Sequence, residues 1–191
     1  MTHTPAKTTD KVTFGFWVYL MSDCVLFAGL FATYAVLHTA TFGSPGIESL
    51  VDLPYVAGET LLLLASSFAM GLALMFARAG KRSLTFWALA STLVLGLGFL
   101  VMEVMEFAYL IGAGHGPDQS AFLSSFFTLL GVHGLHVALG SVWMLALMAH
   151  IAWRGLVPGT TRKLLCLGLF WHFLDIIWIF IFTFVYLFAS V

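Results

Sequence analysis

Five continuous apolar runs divide the chain, at about 14–37, 56–77, 84–111, 121–153 and 164–189. Each reaches the roughly 20 residues that a helix needs to cross a hydrocarbon core about 30 Å thick. None shows the period-two alternation of a membrane barrel strand. The pattern predicts an all-α membrane protein, a bundle of five transmembrane helices. A short segment at 1–13 precedes a single five-helix domain at 14–191. The connections "TFGSPG" and "GAGHGPDQS" are turns punctuated by Gly and Pro, and the first eleven residues are expected to be disordered or peripheral.

Composition agrees. Of 191 residues, 61% are hydrophobic and 9% charged, whereas a soluble domain is roughly a quarter charged. The first run exceeds the roughly 7–15-residue core of a cleavable signal and is interrupted by Asp23. Cys24 and Cys166 lie 13 and 3 residues from Lys11 and Lys163, hence at heights about 15 Å apart, so no disulfide is expected between them. A net charge of −1 points to no nucleic-acid partner.

Positive charge sets the expected topology. All eight Lys and Arg residues precede run one, separate runs two and three, or separate runs four and five. The opposite side has none. By the positive-inside rule, the N-terminus is cytoplasmic and the C-terminus periplasmic.

Five of the nine acids fall inside the runs: Asp23, Glu59, Glu103, Glu106 and Asp175. So do His133, His136 and His172. Ionisable groups are costly in lipid and each needs a partner or a water-filled cavity. Counted from the basic flanks, Asp23, His172 and Asp175 form an inner tier at about 14–18 Å, while Glu59, Glu103, Glu106, His133 and His136 form an outer tier at about 27–36 Å. His38, His115 and His150 sit at run ends and are read as interfacial. On run four, Gly131, Gly134, Ala138 and Ser141 make a small-residue stripe. His133, His136, Gly140 and Trp143 make another, turned away from it, so packing is expected on both sides. On run five, His172, Asp175, Ile179, Phe182 and Tyr186 are expected to share one face.

The i,i+3 pairs Glu103/Glu106, His133/His136 and His172/Asp175 admit three readings. They are a metal site of the kind bundles build from Glu and His, a proton relay or transporter site, or interhelical hydrogen-bonding glue. The split tiers argue against one compact metal site. No run is broken at mid-depth, as transporter sites often are. For His172 and Asp175 the expectation is a lock that docks the fifth helix.

Five sequence blocks resemble subunit III of the haem–copper terminal oxidases, in the order that family has them. They are "FGFWVYLMSDCVLFAGLFATYAVL" at 14–37, "ETLLLLASS" at 59–67, "MEVMEF" at 102–107, "GVHGLHVALGS" at 131–141 and "WHFLDIIW" at 171–178. The mitochondrial type has seven spans and a glutamate at the Asp23 position. The five-span pattern with "MSDC" is similar to the bo-type quinol oxidases of bacterial inner membranes. The resemblance implies a non-catalytic subunit of a complex that oxidises ubiquinol, reduces O2 to water and pumps protons. It implies partner subunits I, II and IV, with haem and copper in subunit I. It also implies no haem, copper or quinone chemistry in this chain, and phospholipid held in a cleft between its helices. Asp23 is implied to be the lipid-cleft or proton-related acid. Glu59, Glu103, Glu106, His133, His136, His172 and Asp175 are left as interhelical contacts. A stand-alone proton-coupled transporter is the alternative.

Overall fold

The computed structural model describes residues 6–40 and 52–187. The "TFGSPG" turn lies outside them, as do the last two positions of the fifth apolar run. Among the described residues five α-helices are present: α1 (Ala6–Leu37), α2 (Leu53–Arg78), α3 (Arg82–Gly112), α4 (Ala121–Arg154) and α5 (Pro158–Ile181). A π-helical turn, Phe182–Leu187, continues α5. All five are long and apolar enough to cross a membrane. α1 begins earlier than expected, at Ala6. Pro5 stands just ahead of it, and no Gly or Pro follows until Gly15, so nothing in the sequence stops the helix from forming there.

The turns follow from local chemistry. Gly80, Gly114 and Gly155 take positive φ of 70°, 85° and 76° at the ends of α2, α3 and α4, a conformation open to glycine at little cost. The Ser120 side chain accepts a hydrogen bond from the Leu123 N–H at 3.1 Å and so caps α4. Pro158 opens α5, where its missing N–H costs no helical bond. At the basic end, Arg82 donates to the Ala152 carbonyl at 2.6 Å, tying α3 to the last turn of α4.

Helices α2 to α5 close a ring in which each packs on the next and α2 packs on α5. α1 lies outside the ring, against α4 and α5. Its buried positions are Leu20, Asp23, Phe27 and Tyr34, while Trp17, Val18, Val25 and Val36 are exposed. That spacing of three, four and seven gives one seam on an otherwise lipid-facing helix. α5 is the most enclosed of the five.

Trp171 of α5 is the pivot of the ring. Its indole packs so closely on Gly96 of α3 that a Cβ there would lie 2.7 Å from the ring, and it also faces Gly140 of α4, where a Cβ would be 3.2 Å away. Its Nε1–H donates to Ser66 Oγ of α2 at 3.0 Å. Ser66 in turn donates to the Thr92 carbonyl of α3 at 2.9 Å. One side chain thus touches all three other ring helices. Small residues permit this approach, which in lipid is a main source of helix association.

The expected double packing of α4 is present: Gly134 meets Glu103 of α3, and Gly140 meets Phe170 and Trp171 of α5. The residues expected to share a face of α5 differ in burial. Asp175 and Tyr186 are buried, but Ile179 is exposed and His172 half-buried. His172 and Ile179 lie toward the outer edge of that face, and Asp175 on its inner flank. Beyond Ile181 the π turn also alters the register, since its hydrogen bonds span five residues rather than four.

Gly96→Ala is expected to force the Trp171 indole aside and destabilise the protein by about 1–3 kcal/mol, the usual cost of overpacking a filled core. Gly71→Ala, where an added methyl meets nothing within 4 Å, is expected to be close to neutral. Thermal denaturation of the two variants in the same detergent checks the contrast.

Candidate functional site

The eight polar residues singled out in the sequence fall into separate groups. The first lies between α2 and α5. Ser67 Oγ and His172 Nδ1 share a hydrogen bond at 2.6 Å. His172 and Asp175 are 4.0 Å apart, beyond a direct hydrogen bond, with the His172 side chain 41% exposed. Ser67 also interacts with Asp175, although neither carboxyl oxygen reaches full hydrogen-bond geometry with any protein group. Serine is therefore the hinge of this group. Around it, Trp171 reaches Ser66 and Trp178 Nε1–H donates to Thr60 Oγ1 at 3.1 Å. Three contacts at matching positions fasten α5 to α2.

The second group is the outer one. Glu59 of α2 and Glu103 and Glu106 of α3 interact with one another electrostatically. Tyr186, set by the π turn, donates its hydroxyl to Glu106 at 3.2 Å from Oε2 and 3.4 Å from Oε1. Tyr55 donates to the Met102 carbonyl at 3.0 Å on the same side. His133 is fully buried, stacked on Trp178 with centroids 5.3 Å apart and edge-on to Phe99 at 5.9 Å. Gly134 beside it leaves the room that the Glu103 carboxyl occupies: a Cβ there would be 2.9 Å from Glu103 Cδ.

His136 shares the Phe27 contact with His133 but differs in its hydrogen bonding. Its Nδ1 lies 2.7 Å from the Val132 carbonyl. A carbonyl only accepts, so Nδ1 carries the proton. The ring lies against Phe27 of α1 and Phe170 of α5. Asp23 stands apart from the other seven. It is 7% exposed on the α1 seam, with Tyr19 one turn before it interacting with its carboxyl group. An apolar groove of about 660 Å³ opens between the outer halves of α1 and α5, lined by Ala28, Phe31, Ala32, Tyr34, Phe180 and Phe184 among others. Asp23 is not among its lining residues.

Among the described residues, no three His, Cys, Asp or Glu side chains are placed to hold one metal ion. The arrangement joins helices. The partners Thr60, Ser66 and Ser67 were not singled out in the sequence, nor was Tyr186 paired with Glu106. The first three stand in or next to the "ETLLLLASS" block, and a Ser-Ser pair followed 105 residues later by Trp-His was the available signal.

A family model described as cytochrome c oxidase subunit III matches residues 1–190. The chain belongs to that family. It is 54% identical over 180 residues to "Cytochrome bo(3) ubiquinol oxidase subunit 3" of Pseudomonas aeruginosa, covering 94% of this chain and 86% of that protein. It is 50% identical to the protein of the same name from Pseudomonas putida, covering 91% and 84%. It is 43% identical over 174 residues to "Quinol oxidase subunit 3" of Bacillus subtilis, covering 91% and 85%. The polar groups of this subunit III chain are thus those of a helix bundle within an oxidase family.

Ser67→Ala is expected to cost about 0.6–2 kcal/mol, the range for interhelical hydrogen bonds in membranes. Asp175→Leu is expected to be milder than His172→Leu, because losing the imidazole breaks the Ser67 hydrogen bond that joins α2 to α5, whereas the Asp175 carboxyl makes no full hydrogen bond to a protein group. The yield of assembled protein for the three single variants checks this order. Normal assembly with collapsed oxidase turnover would instead assign the group to the chemistry.

Proposed function

We propose that this chain is the non-catalytic subunit III of a proton-pumping bacterial ubiquinol oxidase. It packs beside the catalytic subunit I, in a complex with subunits II and IV. Electrons pass from quinol to O2 through haem and copper held by subunit I. The identity of 54% to a ubiquinol oxidase subunit 3 over nearly the whole chain carries this reading. The geometry supports it, since His172 meets Ser67 and Glu106 meets Tyr186 across helix contacts. A stand-alone proton-coupled transporter is less well supported. Among the described residues no helix is interrupted at mid-depth, and Glu59 and Glu103 are closed off from the surface.

The complex resides in the inner membrane, with the basic ends of α1, α2, α3, α4 and α5 on the cytoplasmic side and the C-terminus in the periplasm. The placement of every Lys and Arg at one end of the bundle supports this orientation. Phospholipid is the bound ligand. The groove between α1 and α5 favours an acyl chain there, since its walls are aromatic and alanine side chains. Asp23 is the acid assigned to the lipid-cleft or proton-related role, supported by its position on the seam of α1 that also carries Tyr34.

Purification through a tag on this chain in mild detergent is expected to bring down partners with a haem absorption spectrum. The chain separated from them is expected to be colourless and free of iron and copper. Stoichiometric metal in the separated chain, or a chain that purifies without haem-bearing partners, refutes the proposal. A C-terminal alkaline phosphatase fusion is expected to be active and a C-terminal green fluorescent protein fusion dark.

A further inference from the structure

We infer that the interior bounded by Glu59, Glu103, Glu106, His133 and Tyr186 is an internal water site, in which hydrogen-bonded water links α2, α3, α4 and the outer end of α5. Two independent observations carry this. One is the carboxyl cluster: both oxygens of Glu59 and Oε1 of Glu103 are buried without a hydrogen bond to any protein group. The other is His133. It comes from a different helix and is 0% exposed, yet neither ring nitrogen has a protein partner.

An imidazole always has at least one N–H to donate, and a carboxyl group always has an oxygen to accept. Within a membrane such groups must be satisfied inside the protein. The neighbours do not supply the bonds. The Trp178 indole, stacked on His133, directs its N–H to Thr60. The Thr60 hydroxyl donates to the Val56 carbonyl. Tyr186 donates to Glu106, and Tyr55 to a backbone carbonyl. No Lys or Arg lies in this half of any span, so neither is available to the acids.

The site selects a small ligand that both donates and accepts. Glu59 and His133 are fully enclosed, and Glu103 nearly so, which excludes a lipid or quinone headgroup. The carboxyl and imidazole groups lack a metal-holding arrangement. Water meets both requirements, and a buried water typically makes about three hydrogen bonds to polar groups that lack other partners. Gly134 makes room for the Glu103 carboxyl itself. A side chain there would displace the Glu103 carboxyl that forms one wall.

The test uses the chain in the membrane assembly with which it purifies. A density map fine enough to show ordered solvent is expected to place discrete water peaks within hydrogen-bonding distance of Glu59 and of a His133 ring nitrogen. Direct carboxyl–carboxyl and carboxyl–imidazole bonds with no solvent peak between them would overturn the inference. So would density too large for water. Infrared spectra in H2O and H2¹⁸O give a second readout. An isotope-sensitive O–H band from weakly bonded internal water is expected, and is expected to weaken in Glu59→Leu but persist in Glu59→Gln. An identical band in the parent and Glu59→Leu would overturn it. If Glu59→Leu does not assemble, the map of the parent protein decides alone.

Discussion

The Trp171 indole, wedged between two glycines and bonded to a serine, is the contact around which the ring of helices is arranged. In lipid, apolar side chains gain little by leaving their surroundings for one another, so association rests on close packing and on polar groups finding partners. Trp171 combines both. Gly96 and Gly140 let α3 and α4 approach the indole, and Ser66 takes its N–H. The neighbouring contacts follow from that placement. Once Trp171 meets Ser66, His172 stands at Ser67, and Trp178, two turns on, stands at Thr60.

The same constraint accounts for where the acids sit. A carboxyl group on a lipid-facing surface would face hydrocarbon, so each of the five lies on a buried face: Asp23 on the seam of α1, Asp175 toward α2, and the three glutamates inside the ring. Aromatic rings surround them. Phe99 packs edge-on against Trp178 at 4.6 Å and Phe126 against Tyr186 at 6.0 Å, which gives the polar interior a rigid apolar wall.

Much of this was legible in the sequence because length, hydropathy and charge are properties of single segments. The five spans and the buried acids could be read off directly. The separation of Asp23, His172 and Asp175 from the three glutamates also followed from helical rise. Pairing was less legible. Hydroxyl residues such as Ser67 are common in membrane helices and look unremarkable until a partner faces them, so the lock expected at His172 and Asp175 carried no named partner on another helix. Tyr186 was placed by a regular 3.6-residue repeat that the π turn interrupts. His133 and His136, one turn apart, looked equivalent, and both meet Phe27 of α1, yet only His133 is stacked on Trp178 and fully buried. Which neighbour a face meets depends on the whole bundle.

The position of α1 outside the ring bears on biogenesis. α1 is made before the helices it packs against, and its neighbours α4 and α5 begin more than eighty residues after it ends. The intervening α2 and α3 pack on each other and can form their hairpin first. Until α4 and α5 enter the bilayer, the α1 seam with Asp23 has none of its final protein neighbours. Insertion is therefore a stage at which α1 needs shelter, from the insertion machinery or from another subunit, and a delay in supplying the last two helices leaves a carboxyl group facing lipid.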